Sequence, residues 1–208
     1  MLSWKEIGRK NPRLSGYDYS TPGLYFVTIV TRNRVRWFGT VGVDPCIDPV
    51  SDTNAKMELS PLGEMIQLYW NKLAEKYTNI RLDEFVVMPN HIHGIVEIIG
   101  VIQRVDVGTR SADVRGSIHG STPTADFASA SKKIDLSEMM RWFKQMTTNA
   151  FMRECKQQRI YFDRRLWQKK FHDRIVRGGA NGLEKIRAYI RRNPKKWYEE
   201  RHRTDPHL

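Results

Sequence analysis

The sequence predicts an α+β protein of ferredoxin-like type, an antiparallel sheet with helices on one face and one further helix at the C-terminus. Three observations predict it. Periodic segments follow in the order strand, helix, strand, strand, helix, strand, helix, which without the last helix is the split βαβ arrangement. Two of the helical segments open on cap signals, Ser60-Pro61 and Asp135-Leu136-Ser137-Glu138. The two middle strands are divided by Met88-Pro89-Asn90, a turn signal that cannot sit inside a central strand.

Taken in order, Leu2 to Ser15 is a basic arm without period, and Gly16 to Gly23 is a turn-rich lead-in. Leu24 to Thr31, rich in aromatic and β-branched residues, predicts a strand. Arg34 to Thr40 predicts a second, edge strand, Val43 to Thr53 a loop, and Lys56 to Leu59 a segment pairing back on that edge. After the Ser60-Pro61 cap, Leu62, Met65, Ile66, Tyr69, Trp70, Leu73 and Tyr77 fall at helical spacing, so one face is buried. Leu82 to Met88 and His91 to Ile99 predict strands. Val105 to Lys133 changes character to Gly, Ser, Thr, Ala and Asp, and predicts a flexible loop insertion within a single domain spanning residues 1–208. The helix opened by Asp135 buries Leu136, Met139, Met140, Phe143, Met146 and Phe151. A strand is expected within Ile160 to Arg177, centred on Trp167 to Val176. Asn181 and Glu184 cap the last helix, and Pro194 ends or kinks it near Asn193.

With 40% hydrophobic and 11% aromatic residues in 208, the chain can bury a real core and is not a disordered polymer. Its net charge of +12 points to a polyanion, nucleic acid first, against the alternative that the charge serves solubility alone. The charge is concentrated between Arg153 and Arg203, where Arg159, Arg164, Arg165, Lys169, Lys170, Arg174, Arg187, Arg191, Arg192, Lys195 and Lys196 are interleaved with Trp167, Phe171, Tyr189 and Trp197. Cations for phosphates and rings for bases suit single-stranded nucleic acid, although such rings also serve as core. Two cysteines make no disulfide framework, and no apolar run is free enough of polar residues to span a membrane. A cytoplasmic protein, on the nucleoid when bound to DNA, is expected.

Two constellations can carry chemistry. His91-Ile92-His93 on a strand points both imidazoles to one face, at a spacing that suits one metal ion; two unrelated histidines would give the same pattern. Tyr189 and Asn193 are four apart and share a helix face if the helix persists. A tyrosine hydroxyl is a weak nucleophile unless a base or a metal-polarised phosphate assists it, and Asn193 can offer a neutral carbonyl oxygen as a ligand. A core tyrosine and a helix-end asparagine account for the pair equally. No phosphate-binding glycine loop and no GxSxG elbow is present.

The segments Gly16-Tyr17-Asp18-Tyr19, Tyr25-Phe26-Val27-Thr28, Leu82 to Ile95 with its Met88-Pro89-Asn90-His91-Ile92-His93, Phe143-Lys144, Trp167-Gln168 and Tyr189-Ile190-Arg191-Arg192-Asn193-Pro194 occur in this order. Together they resemble the REP-associated tyrosine transposases, single-tyrosine HUH enzymes related to insertion-sequence transposases. The likeness covers most of the chain outside Val105 to Lys133 and the two tails. It implies an RRM-related ferredoxin-like fold and a divalent cation, Mg²⁺ or Mn²⁺, held by His91 and His93 with Asn193 as third ligand. It implies Tyr189 as the nucleophile that forms a 5′-phosphotyrosine link, and hairpin DNA with a single-stranded flank as substrate. Lys169, Lys170, Arg174, Arg187, Arg191, Arg192, Lys195 and Lys196 are the expected DNA contacts. Monomer and homodimer are both open. Where relatives carry paired aromatic residues after Trp-Gln, this chain has Phe171-His172, which leaves no rival tyrosine there. Gly178 to Gly182 is expected to act as a hinge for the catalytic helix. Two rivals stand beside this reading: a rolling-circle initiator or relaxase, and an RRM-like nucleic-acid binder that does not cut.

Overall fold

The structure, a computed structural model, describes residues 16–43, 55–100 and 135–204, with side chains described through Arg201. The arm over residues 1–15 and the insertion over residues 105–133 lie outside the described residues, as does nearly all of the loop expected at residues 43–53.

Strands β1 (Gly23–Val30), β4 (Ile80–Met88), β5 (His91–Ile98) and β6 (His172–Ile175) form one sheet in the order β4-β5-β1-β6, every pair antiparallel. With helix α1 (Pro61–Lys76) between β1 and β4, and α2 (Leu136–Gln157) between β5 and β6, this is the ferredoxin-like arrangement the sequence predicts. Strands β2 (Gly39–Val43) and β3 (Ala55–Leu59) make a separate two-stranded ribbon. Helix α3 (Gly179–Thr204) closes the chain.

Strand alternation sorts the residues into two layers. Tyr25, Val27 and Ile29 of β1, with Ile92, Val96 and Ile98 of β5, join the core cluster under α1 and α2. Ile66, Trp70 and Leu73 of α1 meet Leu136, Met139, Met140, Phe143 and Phe151 of α2 in that cluster. The indole of Trp70 stacks on Phe85 at 4.5 Å between centroids, directly over Gly94. The opposite face carries Phe26, Thr28, His91, His93 and Ile95, and there α3 lies.

The caps behave as the residue types require. Ser60 Oγ accepts from Gly63 N at 3.1 Å and donates to the Trp37 carbonyl at 2.8 Å, which ties α1 to the β1–β2 connection. Asp135 Oδ1 accepts from Ser137 N at 3.0 Å at the head of α2.

Four local expectations are corrected. The edge strand begins at Gly39, because Arg32–Arg34 forms a 3-10 turn in which Asn33 and Arg34 both have φ 55°. The strand expected from Trp167 is only His172–Ile175; Trp167 makes an isolated bridge to Thr31, and Lys144 Nζ donates to the carbonyls of Gln168 and Lys169, which turn to the lysine. Helix α3 starts at Gly179, two residues before Asn181, since Gly182 N bonds back to Gly178 O at 3.2 Å. A Cβ on Gly182 would lie 1.9 Å from the Arg177 carbonyl, so the turn into α3 requires glycine there. The same helix runs through Pro194 to Thr204 instead of ending near Asn193. Pro194 is buried, and i,i+4 pairs Lys195–Glu199 and Lys196–Glu200 bridge the turns beyond it.

A Cβ at residue 94 would approach Trp70 to 2.3 Å. Gly94→Ala is therefore expected to lower folding stability by about 1–3 kcal/mol, the usual cost of overpacking a filled core. Urea denaturation followed by tryptophan fluorescence checks this, and an unchanged midpoint would contradict it.

Candidate active site

His91 and His93 open β5 on the face away from the main core, and their Nε2 atoms stand 3.1 Å apart. Each ring is fixed at its other nitrogen. His91 Nδ1 meets Asn90 Oδ1 at 2.8 Å, and His93 Nδ1 meets Thr28 Oγ1 at 2.8 Å. Asn90 Nδ2 itself donates to the Arg34 carbonyl at 3.1 Å, so the atom facing His91 is the amide oxygen. An amide oxygen only accepts, hence His91 carries its proton on Nδ1 and turns a lone pair outward from Nε2. Thr28 can accept from or donate to His93, so that ring can present either Nε2–H or a lone pair.

Burial keeps both rings neutral. Desolvation, with a smaller contribution from nearby Arg34, pushes His91 from 6.5 down to about 4. Desolvation, then the charge of His91, pushes His93 down to about 3. Neutral imidazoles are the ligand form, so no proton has to be displaced at neutral pH. Two nitrogens about 2.1 Å from one ion lie about 3.0 Å apart across an octahedral edge and about 3.4 Å across a tetrahedral one. The observed spacing is close to the former. Among the described residues no carboxylate, thiol or third imidazole completes a set with the pair.

Helix α3 covers this face with one stripe of residues four apart. The Tyr189 ring lies 5.4 Å from the His93 ring and 6.0 Å from Phe26, which stacks on His93 at 5.4 Å. Eight residues on, Trp197 lies 5.8 Å from the His91 ring. Asn193 falls midway on the stripe and is buried, with Nδ2 donating to the Tyr189 carbonyl at 3.2 Å. The helix thus spans the histidine pair from Tyr189 to Trp197, while Tyr189 keeps 44% of its surface open to solvent.

A β-bulge sets this docking. Between Leu82 and Phe85 strand β4 gains one residue over β5, and the irregularity presents Asp83 and Glu84 to α3. Arg187 grips Asp83 through two bonds, Nε to Oδ1 at 2.8 Å and Nη2 to Oδ2 at 2.5 Å. Arg191 bonds Glu84 at 3.0 Å and also Glu184. The Arg187 hydrogen bond holds the Asp83 carboxyl below the usual carboxylate range.

The expected DNA contacts therefore divide. Arg187 and Arg191 are engaged by carboxylates and act as latches. Arg192, Lys195 and Lys196 line an open concavity with Lys185, Ala188, Tyr189, Glu199 and Glu200, so they face the same space as the tyrosine, the two lysines with exposed glutamates one turn on. Lys169 and Lys170 are exposed in the bend before β6, and Arg174 is exposed on that strand. Sequence reasoning missed Thr28, Asn90, Asp83, Glu84 and Phe26. Only Asn90 had a signal, its place beside His91; the others are brought in by register, by the bulge or by the docking of α3.

Comparison with known proteins gives a partial family match. Residues 127–193 match the family described as transposase IS200 like. An uncharacterized Haemophilus influenzae protein is 28% identical over 193 residues, covering 92% of this chain and 91% of its own. A REP-associated tyrosine transposase solved with a REP hairpin aligns at TM-score 0.48 and 17% identity, over 88% of this chain and 73% of that one. A transposase candidate from Deinococcus radiodurans aligns at TM-score 0.36 and 13% identity, over 86% and 94%. The chain is thus similar to the IS200-like transposases over residues 127–193. Among the described residues no helix is long and apolar enough to cross a membrane.

Two predictions follow from this geometry. Arg187→Asp is expected to speed amide exchange along α3 while leaving β5 protected, and adding Asp83→Arg to restore protection; hydrogen exchange read by mass spectrometry decides it. As for pH, both imidazoles titrate lower in the folded chain than in the unfolded one. The unfolded chain takes up protons first, so stability is complete above about 6.5 and drains away as pH falls toward 4. Denaturation midpoints across that window should slope in wild type and flatten in His91→Gln/His93→Gln.

Proposed function

We propose that the chain is a metal-dependent DNA nuclease and strand transferase that cuts single-stranded DNA beside a hairpin, with Tyr189 as nucleophile. The observation that carries this reading is the placing of a half-open tyrosine against two neutral imidazoles whose free nitrogens converge. His91 and His93, with the Asn193 amide oxygen, would hold Mg²⁺ or Mn²⁺, and such an ion supplies charge that polarises a phosphate oxygen. The chain does the rest. Phe26 and His93 wall the Tyr189 ring and limit its swing. Arg192, Lys195 and Lys196 hold backbone phosphates at the same opening.

In the step itself Tyr189 Oη bonds to phosphorus and the bond from phosphorus to the 3′ oxygen breaks. The product is a 5′-phosphotyrosine and a free 3′-hydroxyl, which receives a proton equivalent to the one the phenol loses. Attack by a 3′-hydroxyl on the phosphotyrosine reverses the reaction or joins a new end. A phenolate leaves phosphorus more readily than an aliphatic alkoxide, so the link stays reversible.

The decisive experiment incubates the full chain with end-labelled hairpin DNA bearing single-stranded flanks, with Mn²⁺, Mg²⁺ or chelator. A covalent protein–DNA band is expected that needs metal, and it should be lost in Tyr189→Phe and fall at least a hundredfold in His91→Ala. Tight binding without any band under either metal would instead favour the non-cutting nucleic-acid binder, and a band that survives Tyr189→Phe would move the nucleophile elsewhere.

A further inference from the structure

The segment from Arg159 to Arg165, between α2 and β6, takes no part in the site described above. It is pinned at both sides of its middle. Phe162 packs against Phe151 at 4.8 Å and faces Trp37 edge-on at 6.3 Å. Asp163 is taken by Arg32 at 2.6 Å. Between helix end and anchor, Tyr161 projects with 89% of its surface exposed, beside Ile160 at 40%. Arg159, Arg164 and Arg165 flank it in sequence and are exposed. Arg159 takes φ 56° as the left-handed residue that closes α2, with Ile160 N on Cys155 O at 2.8 Å, while Arg164 holds φ 64° within the loop itself. An anchored loop that holds a large ring almost wholly in water, with three guanidiniums beside it in sequence, calls for a ligand.

We infer that this loop is a second DNA contact, in which an unpaired base stacks on Tyr161 while Arg159, Arg164 and Arg165 hold the adjoining phosphates. Charge selects the partner, since the one carboxylate in the segment is already neutralised by Arg32 and the patch is left cationic. Stacking selects unpaired over paired nucleotides, because a base inside a duplex has no free face. Position connects the patch to the cutting site. Arg32 N bonds Leu166 O at 2.8 Å and Thr31 N bonds Asn90 O at 2.9 Å, so the loop leaves the same sheet end at which His91 begins. That path is on the order of 20 Å, inside one duplex turn of about 34 Å. The inference rests on the DNA-cutting reading and names which part of the substrate, an unpaired nucleotide away from the scissile phosphate, the chain grips.

The test is fluorescence anisotropy with the full chain in chelator, so that binding is read without cleavage. The probes are a hairpin with single-stranded flanks and an unpaired loop, and a blunt duplex of the same stem sequence. Tyr161→Ala is expected to weaken hairpin binding roughly 5- to 150-fold and to leave the duplex unchanged, while Tyr161→Phe binds like wild type. Arg164→Ala/Arg165→Ala should lower the salt slope for the hairpin by about 1.4. Wild-type-like hairpin binding by Tyr161→Ala, or equal losses on both probes, would overturn the patch and leave the cutting site untouched. No binding of either probe by wild type would overturn both readings.

Discussion

Two imidazole nitrogens 3.1 Å apart cannot both carry a proton, and burial answers that constraint by keeping both rings neutral. In water each ring would hold its proton until about pH 6.5. Their neutrality comes from burial, to which α3 contributes by seating Tyr189 against His93 and Trp197 against His91. Helix α3 and the histidine pair are therefore one unit, in which the element that carries Tyr189 also helps keep both imidazoles neutral.

Charge at a bulge fixes the helix together with apolar packing. The second face buries Met88, Ile95 and Ile190 outside the main core, a small apolar area for a 26-residue helix. The paired grip of Arg187 on Asp83, and of Arg191 on Glu84, supplies direction that apolar contact lacks. Without the extra residue in β4, pleat alternation would turn one of the two carboxylates toward α1. Such half-exposed pairs contribute modestly to global stability, and their role here is to set where the helix sits.

Much of this was legible in the sequence, and the rest was hidden for physical reasons. The element order, the two caps and the Met88-Pro89-Asn90 turn gave the sheet, because each rests on chemistry local to a few residues. His91 and His93 were legible because strand period alone puts them on one face. Arg187 and Arg191 read as DNA contacts because their partners lie 104 and 107 residues away, beyond any local pattern. Pro194 read as a helix end because local sterics disfavour continuation; burial of Pro194 itself and the seating of Trp197 against His91 outweigh a lost backbone bond.

The proline then has a use that the local rule conceals. At residue 194 no N–H exists to reach back to the Ile190 carbonyl, so the turn is loosened just where the Asn193 side chain must find a place. Asn193 uses its amide nitrogen on the Tyr189 carbonyl, and since a planar amide carries oxygen opposite nitrogen, its Oδ1 is turned away from the helix backbone. A backbone carbonyl only accepts, which settles which end of the amide faces it. The same bond joins the tyrosine's own peptide to the residue that follows it one turn later. Tyr189 and the Asn193 amide oxygen are thus held in a fixed relation within α3, and the latch on β4 holds that relation against His91 and His93.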